Sequence, residues 1–226
     1  MKFHVHADTR LSDEQIRQST LFLSWLTEQR VPVAEVMVNG VGYWDNDVQM
    51  LQLAVKVEGG KWWEYFQLRL PTVDVLTMVT DGTRRRVVFV RQYRPALGQW
   101  ILSNPAGGID RGETPEDAGV REVREELGLD ESVDITISRL IDAPCAATPG
   151  GINEQVLFMF AVIHLTPGGF DKLIQDLEGK QAGLAAEGEE VAVVTADYSD
   201  ALTWVTQGEE IPDAKTILSL AYERAR

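Results

Sequence analysis

Between Gly107 and Leu129 the chain sets three glutamates, Glu122, Glu125 and Glu126, on a helix whose two ends are marked in the sequence. Thr114 is an N-cap residue, Pro115 suits the first helical position, and Gly128 can close the helix in a left-handed turn. On such a helix Glu122 and Glu126 lie one turn apart on the same face, with Glu125 beside them. Like charges so spaced repel by roughly a few tenths of a kcal/mol per pair. A hard divalent cation over that face removes the cost, because it takes carboxylate oxygens, waters and phosphate oxygens as ligands. Gly107 and Gly108 permit a tight loop ahead of the helix, whose backbone carbonyl can also face an ion. A bare E-x-x-E-E cluster reads more readily as a solvated helix face, so the flanking residues decide.

Composition narrows the partners. The chain has 226 residues, 44% apolar and 25% charged, which suits a folded protein with a sizeable core. Its formal net charge of -14 repels nucleic-acid backbones at long range, yet leaves room for a small anion neutralised locally by a cation and arginines. Cys145 is the single cysteine, which excludes an intrachain disulfide and fits a reducing compartment. Met1 to Arg10 has no apolar stretch of the signal-peptide kind, and the longest apolar run, Val156 to Ile163, is too short for a membrane helix. The expectation is a soluble cytoplasmic protein, with no membrane and no nucleic acid among its partners.

Patterning gives the order of elements. Leu11 to Arg30 reads as one amphipathic helix with a Ser12–Gln15 capping box. Val48 to Val57 and Lys61 to Leu70 read as a hairpin around Gly59-Gly60, and Val73 to Thr80 and Arg86 to Tyr93 as two more strands across Asp81-Gly82. After the Thr114–Leu127 helix, strands are expected over 134–141, 154–164 and 190–195, and helices over 171–177, 199–207 and 213–225. This mixture predicts an α/β layered fold. Residues 1–60 form an N-terminal helix and β-hairpin appendage, a candidate dimerisation element, ahead of a main domain over 61–226.

The spacing around the glutamates carries a resemblance. Gly107, Glu113 and the run Arg121-Glu122-Val123-Arg124-Glu125-Glu126-Leu127-Gly128-Leu129 match every fixed position of the Nudix box. The chain thus resembles Nudix hydrolases, which hydrolyse nucleoside diphosphates linked to another moiety. The resemblance implies a Nudix-type α/β/α sandwich with a mixed sheet. It also implies metal ligation by Glu122, Glu126 and Glu125, with Arg121 orienting the carboxylates and Glu113 supporting the loop. The cofactor implied is Mg²⁺, with Mn²⁺ as the alternative.

Further segments resemble the ADP-ribose pyrophosphatase branch, over about residues 60 to 226. Asn104 to Asp110 is similar to a strand end where the carbonyl of Ala106 would also bind metal, and Arg91-Gln92-Tyr93-Arg94 to one where Arg94 would contact substrate phosphate. Thr148 to Glu154 and Ile211 to Thr216 match two further motifs of that branch. The acidic run Gly183 to Glu190 resembles the loop supplying the general base, assigned to Glu187, and one more metal ligand, assigned to Glu189. Glu189 and Glu154 remain alternatives for the base. A proline sixteen residues beyond Gly128 is Pro144, whereas the Pro-Gly-Gly loop holds Pro149; either a five-residue insertion shifts the loop, which is the favoured reading, or Pro144 matches only by count.

The reaction so implied is hydrolysis of a sugar nucleotide to a nucleoside monophosphate and a sugar phosphate. Arg94 and Arg69 would hold phosphate, Glu154 would join the substrate site, and Trp62 and Trp63, with Tyr65 and Phe66 nearby, would stack the base or else form hairpin or dimer core. A homodimer packed through the N-terminal strands is implied as well. ADP-ribose is the first substrate, GDP-mannose or UDP-glucose the alternative. A binding module without turnover is disfavoured by the full set of carboxylates, and RNA decapping by the net charge.

Overall fold

Alternation along the strands places side chains of one period on one sheet face and their neighbours on the other. In the computed structural model, which describes residues 1–44, 47–183, 191–208 and 210–226, that alternation organises two compact units. One is Met1–Pro71 with Ala146–Gln155, the other Thr72–Cys145 with Val156–Arg226.

The first unit comprises β1 (Lys2–Val5), α1 (Asp13–Arg17), α2 (Thr20–Glu28), β2 (Val33–Trp44), β3 (Asp47–Val57) and β4 (Glu64–Arg69). Its sheet has the order β1-β2-β3-β4, with β1 parallel to β2 and the other pairs antiparallel. Ile16, Phe22 and Trp25 pack on Val36, Val38, Leu51, Leu53 and Leu68 to form its core. The single helix expected over Leu11–Arg30 is two helices. Ser12 and Gln15 form the expected capping box, but the Ser19 hydroxyl accepts from the Phe22 N–H and donates to the Ile16 carbonyl. That second cap stops α1 and starts α2, as serine does when its side chain competes for backbone groups. Residues 146–155 add to this unit through the Gln67 N–H donating to the Gly151 carbonyl at 2.8 Å and the Asn153 N–H to Gln67 at 3.0 Å.

The second unit continues with β5 (Thr72–Thr80), β6 (Arg85–Arg94), β7 (Gln99–Ser103), β8 (Ala106–Gly108), α3 (Pro115–Leu127), β9 (Thr136–Arg139), β10 (Cys145–Ala146) and β11 (Gln155–His164). It ends with α4 (Pro167–Leu177), β12 (Gln181–Ala182), β13 (Val191–Asp197), α5 (Ala201–Gln207), β14 (Ile211–Pro212) and α6 (Ala214–Ala225). The main sheet runs β10-β11-β5-β6-β13-β12, with β11 parallel to β5 and β6 antiparallel to both neighbours. Val73, Val75, Val88, Val90 and Val193 face Ala118, Val123 and Leu127 of α3 and Phe170 of α4. Leu76, Val87, Phe89 and Ala196 face Val205 of α5 and Leu220 of α6. The result is the expected sandwich, a mixed sheet between two helical layers. Val123 and Leu127 are fully buried, each worth about 1.5–3 kcal/mol, which seats α3 on the sheet. Gly119 costs the helix about 1 kcal/mol relative to alanine. Its reason is close packing, since a Cβ there would lie 2.5 Å from Cδ1 of Ile137.

Candidate active site

Helix α3 begins and ends as its sequence dictates. The Thr114 hydroxyl accepts from the Asp117 N–H at 3.1 Å, Pro115 occupies the first turn, and Gly128 adopts φ 59°. This phase turns Val123 and Leu127 into the core and sets Glu122 and Glu126 at its edge, 9% and 4% exposed. Strand β8 runs beside them. The Ala106 N–H donates to Oε2 of Glu126 at 3.1 Å. A Cβ at Gly107 would fall within the Glu122 carboxyl group, so only glycine leaves that carboxylate its place.

Arg121 ties the loop to the helix. Its Nε and Nη2 donate to the two oxygens of Glu113 at 2.9 and 3.0 Å, and Nη1 donates to Glu122 at 2.6 Å and to Glu125 at 3.1 Å. Nη2 also donates to the Gly108 carbonyl at 2.8 Å. The bidentate hydrogen bonds from Arg121 hold the Glu113 carboxyl below the usual carboxylate range. The same pairing with Glu113 raises the Arg121 guanidinium further above its already high value. One guanidinium therefore orients two carboxylates of the helix and braces the loop preceding it.

The donor set is chemically suited to a hard divalent cation, with three carboxylates on one helical face and two of them nearly buried. As they stand, they are turned toward Arg121 and Ala106. Among the described residues no group of three or more His, Cys, Asp or Glu side chains gathers around one point as a metal site.

Behind β8 lies a polar cluster that motif reading missed. Asn104 donates through Nδ2 to Asp74 at 2.8 Å and to Ser219 at 2.7 Å, while its N–H donates to the Thr216 hydroxyl at 2.8 Å. All four residues are fully buried. Burial pushes the Asp74 carboxyl up to about 7, against the opposing effect of the Asn104 amide. An aspartate inside the apolar strand Val73–Val79 was the available signal.

Other expected site residues fall as follows. Arg94 ends β6 and is exposed. Within the first unit Arg69 pairs with Glu154 at 3.7 Å, and its N–H donates to the Asn153 side chain at 2.7 Å. Trp62 is exposed and Trp63 half-buried, both in the connection between β3 and β4. Glu187 and Glu189 lie outside the described residues.

Comparison with known proteins agrees with this geometry. The sequence model of the NUDIX domain family matches residues 69–193. An ADP-ribose pyrophosphatase of Bacillus subtilis is 29% identical over 150 residues, covering 66% of this chain and 70% of that protein. A methanol dehydrogenase activator of Bacillus methanolicus is 31% identical over 157 residues, covering 69% and 73%. An ADP-sugar pyrophosphatase of Mus musculus is 50% identical over 42 residues, 19% of each chain. A family match that runs through the strand ends, the glycine-flanked loop and the carboxylate helix places this chain in the NUDIX domain family, as one of its hydrolases.

Proposed function

We propose that this chain is a Mg²⁺-dependent pyrophosphohydrolase of ADP-ribose or a related nucleoside diphosphate sugar, releasing a nucleoside monophosphate and a sugar phosphate. The observation that carries the reading is the Glu113–Arg121–Glu122–Glu125 network beside Gly107. It keeps charged carboxylates fixed at the edge of the core, an expensive arrangement that metal binding would repay. Hydrolases of this family generally use divalent metal ions. Names of the relatives, ADP-ribose pyrophosphatase and ADP-sugar pyrophosphatase, favour this substrate class.

In this reading Glu122, Glu125, Glu126, the Ala106 carbonyl and Glu189 hold Mg²⁺, with Mn²⁺ as a substitute. Bound there, the cation would supply charge neutralisation for the diphosphate and acidification of a water. Glu187 would accept the proton of the attacking water, and Arg121 keeps Glu122 and Glu125 aimed through its hydrogen bonds to both. Arg94 and Arg69 donate to phosphate oxygens; Glu154 orients Arg69, to which it is paired. Trp62 and Trp63 offer ring faces to the nucleobase. Residues 1–60 act as a dimerisation element of a cytoplasmic homodimer.

GDP-mannose and UDP-glucose are the alternative substrates. The test is a panel of ADP-ribose, these two and other sugar nucleotides with Mg²⁺, resolved by chromatography. ADP-ribose should give AMP and ribose 5-phosphate with the highest kcat/KM. A strong preference for a substrate without adenine overturns the ADP-ribose assignment, and no turnover across the panel overturns the enzymatic one.

A further inference from the structure

The chain changes neighbours at Asn104. Strand β7 pairs with β6 as far as Ser103, opposite Val90, and β8 pairs with β5 from Ala106, opposite Asp74. Between them Pro105 has no N–H to offer, and its carbonyl accepts from the Val75 N–H at 2.9 Å. Strand β8 is only Ala106–Gly108, yet the Ala106 N–H meets Glu126 and Gly107 lies against Glu122. So short a ladder has few hydrogen bonds of its own, and its ends decide where it lies. Its far end is held by Arg121, which donates to the Gly108 carbonyl at 2.8 Å.

The near end is held by Asn104. Its N–H donates to Thr216 and its Nδ2 to both Asp74 and Ser219, so one residue joins β5, the β7–β8 switch and α6. The Ser219 hydroxyl donates in turn to the Lys215 carbonyl at 3.0 Å. The start of α6 is itself tied to β7, where the Asp213 N–H donates to the Leu102 carbonyl at 2.9 Å. Stability does not explain this cluster. Oδ1 of Asp74 and Oδ1 of Asn104 are both buried and meet no donor among the described residues. An unpaired buried oxygen is destabilising, whereas apolar side chains of the same shape at both positions would be nearly neutral. What the polar pair does fix is the place of β8.

We propose that Asn104 is a positioning residue, which fastens the β7–β8 switch to β5 and α6 and so sets Ala106 and Gly107 against the carboxylates of α3. This role rests on the reading above, in which the Ala106 carbonyl and those carboxylates hold the cation. Helix α6 packs on the face of the sheet opposite to α3, and through Asn104 it acts on the catalytic face.

The test replaces both polar partners at once, Asp74→Leu with Asn104→Leu, so that neither is left buried alone, and compares Ser219→Ala. It reads melting temperature, hydrogen exchange of the Ala106 amide without metal, and kcat, KM and Mg²⁺ dependence with ADP-ribose. The double variant should melt within about 4 °C of the wild type or above it. Its Ala106 amide should exchange roughly tenfold faster. The Mg²⁺ concentration for half-activity should rise roughly tenfold and kcat should fall about as much, with KM nearly unchanged. Ser219→Ala removes one of two acceptors of the Asn104 amide and keeps the helix, so exchange and Mg²⁺ dependence should move the same way by roughly threefold. A double variant with wild-type Ala106 exchange overturns the tether. Faster exchange with wild-type kcat and Mg²⁺ dependence overturns the positioning role. If the double variant does not fold, Ser219→Ala decides, and wild-type exchange and Mg²⁺ dependence there overturn the proposal. A wild-type chain that hydrolyses nothing, while exchange at Ala106 still rises in the variants, overturns the hydrolase reading and supports the tether.

Discussion

Gly107 lies against the carboxylate of Glu122 so closely that a Cβ would occupy the space of the carboxyl group. The glycine is required by contact, since its φ is not among the positive ones. Gly107→Ala should push Glu122 off Arg121, lowering kcat roughly a hundredfold and raising the Mg²⁺ concentration for half-activity. Circular dichroism should show the fold retained. Wild-type Mg²⁺ dependence in that variant would mean that Glu122 is not placed by this contact.

Arg121 makes five hydrogen bonds with a planar fork, two of them bidentate to Glu113. Lysine keeps the charge and loses the fork, so Arg121→Lys should cost roughly tenfold or more in kcat. The same pair has a pH signature. Glu113 is held below its ordinary value, so its stabilisation is full above the unfolded value and lost as pH falls through the folded one. Arg121→Lys should therefore soften the acid limb of a stability-against-pH curve, measured by urea unfolding. Identical acid limbs would contradict the pairing.

Asp74 gives the opposite sign. Its carboxyl is raised from 3.8 to about 7 by burial, so between those values the folded chain keeps a proton that the unfolded chain has lost. Stability should then fall as pH rises through that window, by up to about 3 kcal/mol between pH 5 and 8. Asp74→Asn places a neutral amide against Asn104 and should flatten the dependence. Superimposable curves for the two proteins would show that Asp74 ionises freely.

Roles for Glu187 and Glu189 separate by kinetics. Glu187→Gln should cut kcat while leaving the Mg²⁺ concentration for half-activity unchanged, and Glu189→Gln should raise that concentration. The reverse pattern exchanges the two assignments, and a normal Glu187→Gln transfers the base to Glu154.

Much of this was legible because it is local. The caps of α3, the β3–β4 hairpin and the alternation of Val87 to Val90 between two faces each depend on neighbours within a few residues. The break at Ser19 was missed because one hydroxyl outweighed an apolar period that runs on through it. Asp74, Asn104 and Ser219 are joined across 30 and 115 positions, and Lys180 reaches Gly128 across 52. Such hydrogen bonds leave no periodicity to read, and only folding reveals the partners. Gly119 stood between these cases: its helical cost was visible, while the reason, Ile137 of a later strand, was not.

In the function proposed above, the α3 carboxylates bind the divalent cation on which turnover depends. Glu126 tests it most directly, because glutamine still offers an oxygen to the Ala106 N–H and so preserves the fold. The measurement is AMP release from ADP-ribose across a Mg²⁺ titration, wild type against Glu126→Gln. The wild type should show saturable Mg²⁺ dependence and the variant a loss of roughly a hundredfold or more, at an unchanged melting temperature. Near-normal turnover by Glu126→Gln, or wild-type turnover that persists in EDTA, would contradict it.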